Sequence, residues 1–236
     1  MIRLFVEEPL FEGGVIYPDE KKTHYMLHVM RLTDKDEVFL FNGKDGEFKS
    51  TLEFVSKKKV CLNITQQIQE YNPTKPCVLC PAIIKKENMD LVLQKATELG
   101  VSKIIPIITQ RTVVRGFNLE RAKSIVAEAA EQSERLDVPY IHEPIRLMDL
   151  WSVLPEEMTP VFLTERGKTG LKPLSAIKLP AFIIGPEGGF TEKETSFLLE
   201  QKNIAPLHLG NTILRAETAS IAVLGAWVWT QTEFDK

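Results

Sequence analysis

Apolar positions change rhythm near residue 72. Before it they come in short runs and alternations. Val38-Phe39-Leu40-Phe41 meets Asn42-Gly43, and Asp45-Gly46 precedes Glu47-Phe48-Lys49-Ser50-Thr51-Leu52. Asn-Gly and Asp-Gly pairs between such runs mark hairpins, because glycine and asparagine accept the left-handed backbone of tight turns. Val60-Cys61-Leu62-Asn63-Ile64 alternates with period two, which predicts another strand. A short helix is expected over 21–29. Residues 1–72 thus read as a small β-rich barrel or sandwich with one helix.

Glu70-Tyr71-Asn72-Pro73-Thr74-Lys75-Pro76 is then a stiff, extended connector, since each proline restricts its own φ and its predecessor. Beyond it, continuous apolar runs alternate with helical periods. Strands are expected over 78–84, 103–108, 159–163, 181–185 and 206–209. Helices are expected over 88–99, from Asn118 as cap to Arg135, over 192–202, and from Glu217 to about Thr230. Uninterrupted apolar strands between helices imply an α/β domain over 73–236, a parallel sheet with helices on both faces.

Composition adds limits. The chain has 236 residues, 44% hydrophobic and 26% charged, enough to bury a core without staples. No apolar run reaches the roughly 18–20 residues of a membrane span. The opening Met1-Ile2-Arg3-Leu4-Phe5-Val6-Glu7-Glu8 lacks the apolar stretch of a signal peptide. Three cysteines, at 61, 77 and 80, suit a reducing, cytoplasmic setting. Net charge is −3, with ten Lys/Arg against twelve Asp/Glu in residues 1–72 and 19 against 20 in the remainder. Neither part is basic, so any nucleic-acid binding must come from a local patch.

The chemistry-bearing stretches follow the expected strands. Phe182-Ile183-Ile184-Gly185-Pro186-Glu187-Gly188-Gly189-Phe190-Thr191 runs from a strand through a glycine-rich loop, and Thr191 with Glu194 forms a capping box that starts the next helix. Ligands of open parallel sheets sit at the carboxyl ends of strands. The loop is therefore either a ligand cradle or a tight strand–helix turn. It lacks G-x-G-x-x-G and G-K-[ST] patterns and suits a phosphate poorly. Leu207-His208-Leu209-Gly210-Asn211-Thr212-Ile213-Leu214-Arg215-Ala216-Glu217-Thr218 repeats the logic. Ile213 and Leu214 either form an apolar wall for a flat ring or fill the core. Phe162-Leu163-Thr164-Glu165-Arg166-Gly167 is a third strand end. The last helix carries Ala219, Ser220, Ala222, Gly225 and Ala226, small residues that allow close packing on a helix or a subunit. Cys77 and Cys80 have metal-like spacing but no second pair, and read as buried structural thiols. His24 and His28 share a helical face without a third ligand and suit the surface or an RNA better than zinc. Lys57-Lys58-Lys59 and Lys85-Lys86 are solvated charge or phosphate contacts.

Ile184-Gly185-Pro186-Glu187-Gly188-Gly189-Phe190-Thr191 together with Leu209-Gly210-Asn211-Thr212-Ile213-Leu214-Arg215-Ala216-Glu217-Thr218-Ala219 resembles the bacterial 16S ribosomal RNA uridine N3-methyltransferases of the SPOUT class. Lys95-Ala96-Thr97-Glu98-Leu99-Gly100-Val101, Glu128-Ala129-Ala130-Glu131-Gln132-Ser133 and Arg3-Leu4-Phe5-Val6 are also similar. Two departures stand out. The family has a glycine before Asp36, where this chain has Lys35, and a glycine or small residue before Arg135, where it has Glu134. The resemblance implies a trefoil-knotted methyltransferase domain behind a PUA-like RNA-binding barrel, a homodimer, S-adenosylmethionine as cofactor and 16S ribosomal RNA of the small subunit as partner. It implies that Leu163, Thr164, Glu165, Ile184, Gly185, Pro186, Gly188, Gly189, Leu207, Leu209, Gly210, Ile213, Leu214, Arg215, Ala216 and Thr218 hold the cofactor. Glu217, then Glu187, is the expected proton acceptor, and Arg215 the stabiliser of uracil charge. Arg3, Arg31, Lys85, Lys86, Arg111 and Arg115 are expected to meet RNA. The rival readings are a non-catalytic RNA-binding assembly factor of the same fold and a nucleotide-dependent enzyme with an unknotted sheet.

Overall fold

The computed structural model describes residues 2–56, 59–113, 116–164 and 174–231. Contacts divide the chain into two units: Met1–Pro73 with Ala130–Val138, and Thr74–Ala129 with Pro139–Lys236.

In the first unit the alternating runs become strands β1 (Arg3–Phe5), β2 (Val15–Ile16), β3 (Glu37–Phe41), β4 (Glu47–Ser56) and β5 (Lys59–Gln69), in sheet order β1-β3-β4-β5-β2. Only the β1–β3 pair is parallel. The β3–β4 turn is built by Asn42, whose Oδ1 accepts from the backbone N–H of Lys44 (3.0 Å) and Asp45 (2.8 Å). Asp19 caps α1 (Glu20–His24) by accepting from Lys22 N, and the helix widens into a π-helical stretch, Tyr25–Val29. Leu4, Leu40, Leu52, Leu62 and Met26 form the core. Lys35 has φ +70° and Glu134 φ +59°. Both positions, where the resemblance leads one to expect a glycine or small residue, therefore adopt the left-handed conformation that glycine reaches most easily.

In the second unit, β6 (Val78–Pro81), α2 (Lys86–Glu98), β7 (Lys103–Ile104), β8 (Ile107–Ile108), α3 (Leu119–Gln132, its last three residues counted with the first unit), β9 (Tyr140–Ile141) and β10 (Ile145–Arg146) come first. β11 (Thr159–Leu163), β12 (Pro180–Ile184), α4 (Glu192–Leu199), β13 (Ala205–Leu207) and α5 (Ala216–Gln231) follow. Six strands form one all-parallel sheet in the order β13-β11-β12-β6-β7-β9. The single strand expected over 103–108 is a correction. Pro106 has no N–H to continue the ladder, and the chain splits into β7 in the large sheet and β8, which pairs with β10. α3 stops at Gln132 rather than Arg135, two residues before left-handed Glu134. Asn118 does cap α3, its Oδ1 accepting from Arg121 N at 2.9 Å.

Phe182 and Ile183 point to opposite sides of β12 and both are fully buried, so both faces of the sheet are covered. Val78, Cys80, Ala181 and Ile183 pack with Leu198 of α4 and with Leu147 and Leu150 of a 3-10 turn. α5 packs beside α2 and against β12 and β6. Cys77 and Cys80 are buried free thiols, with Cys77 pushed up to about 12 by burial and Cys80 further.

Candidate active site

The sheet order sets the site. β11 lies between β12 and β13, all three parallel, so their carboxyl ends share one edge. Leu163 is in register with Leu207, and Thr164 N donates to Leu207 O at 2.9 Å. Three of the strand ends singled out in the sequence are thereby adjacent. Glu165 lies outside the described residues.

The loop after β12 is held from several directions. Ile184 O accepts from Ala82 N, tying it to the segment after β6. A side chain at Gly185 would have to displace the Phe190 ring, since its Cβ would lie 2.9 Å from that ring, which packs edge-on against Phe162 at 5.3 Å. Gly189 takes φ +67° and donates to Pro186 O at 2.8 Å, closing the turn. The Thr191–Glu194 capping box forms as the spacing predicts. Glu194 is 1% exposed and does more than cap: its Oε1 accepts from Gln110 N at 2.7 Å, while Oε2 accepts from Thr191 N and Oγ1. Arg111, next along, donates to Gly188 O at 2.6 Å and Phe190 O at 3.4 Å. Arg111 thus braces the glycine loop through Nη1 while its side chain stays exposed. The bracing role of Glu194 and Arg111 was missed in sequence because their partners lie about 80 positions away. Glu187 and Gly188 are exposed and Pro186 is buried.

The segment after β13 is more open. Leu209 is half-buried, and Gly210 has φ +116° with open space where a Cβ would be. Ile213 is 62% exposed and Leu214 half-buried, so Ile213 is available as an apolar wall and does not fill the core. Arg215 and Thr218 are exposed, and Ala216 is buried. Glu217, in the first turn of α5, is 8% exposed, and its Oε2 has no hydrogen-bond partner among the described residues. Buried carboxylate oxygens are normally paired, so this oxygen stands out among the described residues.

The expected RNA contacts divide. Arg31, Lys85 and Lys86 are exposed, and Arg31 has φ +56°. Arg115 lies outside the described residues. Arg3 differs from these, at 6% exposed. Its guanidinium is buried, paired with Glu47 at 2.6 Å and donating to the carbonyls of Ala130, Glu131 and Arg135. A cation so occupied holds its own fold together. Among the described residues no three His, Cys, Asp or Glu side chains gather as metal ligands, and no helix is long and apolar enough to cross a membrane.

Against known proteins, residues 70–228 match a family model described as an RNA methyltransferase domain, and residues 18–65 match an RNA methyltransferase PUA domain. Ribosomal RNA small subunit methyltransferase E of Rickettsia conorii is 34% identical over 226 residues, 94% of this chain and 93% of that protein. The Bacillus subtilis protein of that name is 31% identical, covering 99% and 98%. A crystal structure of ribosomal RNA small subunit methyltransferase E from Neisseria gonorrhoeae, bound to S-adenosyl methionine, superposes with TM-score 0.85 at 30% identity, covering 96% of each chain. Glycine-bearing loops at adjacent ends of a parallel sheet, behind a β-rich unit matching a PUA domain, are what this kinship accounts for, and the chain belongs to the RNA methyltransferase family.

Proposed function

We propose that this chain transfers a methyl group from S-adenosylmethionine to N3 of a uridine in the decoding region of 16S ribosomal RNA. The observation that carries this reading is the carboxylate oxygen of Glu217, without a partner among the described residues and buried directly after the open loop 209–215. The residues suit the cofactor. Leu163, Thr164, Ile184, Gly185, Pro186, Gly188 and Gly189 offer backbone groups at the shared sheet edge. Leu207, Leu209, Gly210, Ala216 and Thr218 extend that edge, and the exposed Ile213 with Leu214 offers an apolar wall for an adenine ring. When bound, S-adenosylmethionine supplies a methyl group on a sulfonium sulfur, which leaves with the bonding electrons staying on sulfur.

What remains for the protein is the nucleophile. Uridine N3 carries a proton and gains its lone pair for attack only as that proton departs. Glu217 Oε2 accepts it, and Glu187, exposed on the glycine loop, is the second candidate. Arg215, at the mouth of the helix, faces solvent and is free to approach the uracil carbonyls, where negative charge develops. Holding the reactants in line accounts for most of the barrier lowering in such a transfer.

The enzyme acts as a cytoplasmic homodimer on the small ribosomal subunit. Support for the dimer comes from α5, which is apolar on all sides yet leaves Ala222, Ala226 and Trp229 exposed, Trp229 by 67%. A helix apolar all round belongs in a covered position. The test is titration with S-adenosylmethionine followed by labelled methyl transfer to small-subunit particles. Glu217→Gln keeps the shape and removes the base; kcat should fall about 10²–10⁴-fold with cofactor affinity unchanged. Full activity in that variant excludes Glu217 as the proton acceptor.

A further inference from the structure

A concavity lies near the sheet edge that carries the candidate site. It measures about 310 Å³, within the range of pockets that take small ligands. It opens where the chain leaves β6, at Ile83 and Ile84. β6 neighbours β12 in register, Ile184 beside Pro81, so this opening and the glycine loop lie on the same sheet edge, one strand apart. The segment that braces the glycine loop through Arg111 reaches the cavity at Gly116 and Phe117. Five residues of extended chain span at most about 18 Å, which bounds the separation of the two places.

The lining has two characters. Ile83, Ile84, Met89 and Leu93 are buried and make an apolar floor. Phe117 is half-buried beside it. At the rim, Asp90 grips Arg121 through Nη2 (2.5 Å) and Nε (3.3 Å), which fixes the plane of the guanidinium. Lys86 is exposed at the same rim, next to exposed Lys85. An apolar slot bordered by an aromatic ring and a guanidinium, with ammonium groups outside, matches one unstacked nucleotide: base within, phosphate without.

We infer that this cavity takes a base of the substrate RNA adjacent to the target uridine, stacked on Phe117 and Arg121, with its phosphate at Lys86. The inference rests on the RNA-methyltransferase reading above and adds a second point of grip on the RNA. Holding a neighbouring base turns delivery of the target uridine into an intramolecular event and selects RNA that is single-stranded at that point.

The test uses the full chain labelled with 13C at Ile, Leu and Met methyls, and a short single-stranded RNA oligonucleotide containing uridine. The oligonucleotide should shift the methyl resonances of Ile83, Met89 and Leu93 saturably, with the same affinity in the presence of saturating S-adenosylmethionine. Phe117→Ala should weaken oligonucleotide binding roughly ten-fold, within the range of a lost base–aromatic stack, while Phe117→Tyr retains it. Lys86→Ala should lower the slope of log affinity against log salt by about 1. With small-subunit RNA, Phe117→Ala should raise KM by a similar factor and leave kcat and cofactor affinity unchanged. Three results overturn the proposal: methyls that do not respond to the oligonucleotide, methyls that shift with S-adenosylmethionine alone, or methyls that shift on dilution, which means a second copy of the chain covers the cavity. If the wild-type protein methylates no RNA, the proposed function fails, and the oligonucleotide shifts still decide the cavity.

Discussion

Replacing Arg3 by Met should unfold the first unit under conditions the parent tolerates. The substitution keeps an apolar stem and removes the charge. Arg3 and Glu47 side chains are 3% and 10% exposed, so the carboxylate would be left in a low-dielectric setting without its partner. The carbonyls of Ala130, Glu131 and Arg135 would lose their donors as well, and the contact of the guanidinium with the Phe41 ring at 4.7 Å would go. Breaking a buried ion pair from one side costs roughly 3–5 kcal/mol. For a unit of this size each kcal/mol moves Tm by roughly 4–8 °C, so the unit should melt at least about 12 °C earlier. Trp151, Trp227 and Trp229 all lie in the second unit, so their fluorescence reports that unit alone. Urea unfolding followed by amide hydrogen exchange in β1 and β3 reports the first. The double variant Arg3→Met/Glu47→Leu should recover part of the loss, because an apolar pair replaces an orphaned charge. Wild-type stability for Arg3→Met, with ribosomal RNA affinity reduced, would refute this reasoning and return Arg3 to the RNA surface.

Other perturbations probe the site and the backbone. Glu194→Ala leaves the Gln110 and Thr191 donors unmatched and should cost roughly 2–4 kcal/mol in urea unfolding of the second unit, hydrogen bonds to charged groups being worth about 1.5–3 kcal/mol each; cofactor affinity should fall with it, since the same carboxylate anchors the end of the glycine loop. Gly185→Ala must displace the Phe190 ring and should cost about 1–3 kcal/mol by overpacking, together with cofactor affinity read by calorimetry. Lys35→Gly should stabilise the first unit by up to about 1 kcal/mol in urea unfolding, relieving a left-handed side chain at φ +70°. At pH 8, Cys77, pushed up to about 12 by burial, is almost wholly protonated, so a thiol reagent should label it only in denaturant; labelling in native buffer would show the β6 region to be open.

Much of the architecture is legible along the chain because its causes are local. Asn42 and Asp45 make the β3–β4 turn with bonds that span three residues or fewer among themselves. Thr191 and Glu194 cap α4 across three positions. The uninterrupted apolar runs at 159–163 and 180–184 are buried on both sides, and a parallel sheet between helices is the arrangement that covers them. Proline ended a strand where periodicity alone ran through it, at Pro106, and left-handed Glu134 follows the end of α3.

Arginine shows where local cause stops. Arg3, Arg31, Arg111 and Arg121 are alike in sequence: cations flanked by ordinary residues. The fold makes Arg3 a buried tie to Glu47, Arg111 a brace on Gly188, Arg121 one wall of a cavity held by Asp90, and Arg31 an exposed charge. Each role depends on a partner tens of positions away, or on having none nearby, and no period or motif encodes that distance. Backbone propensity, capping and burial act within a few residues and so can be read in order along the chain. The partner of a charge, and the burial of a carboxylate such as Glu217, depends on which elements lie side by side, and that only packing decides.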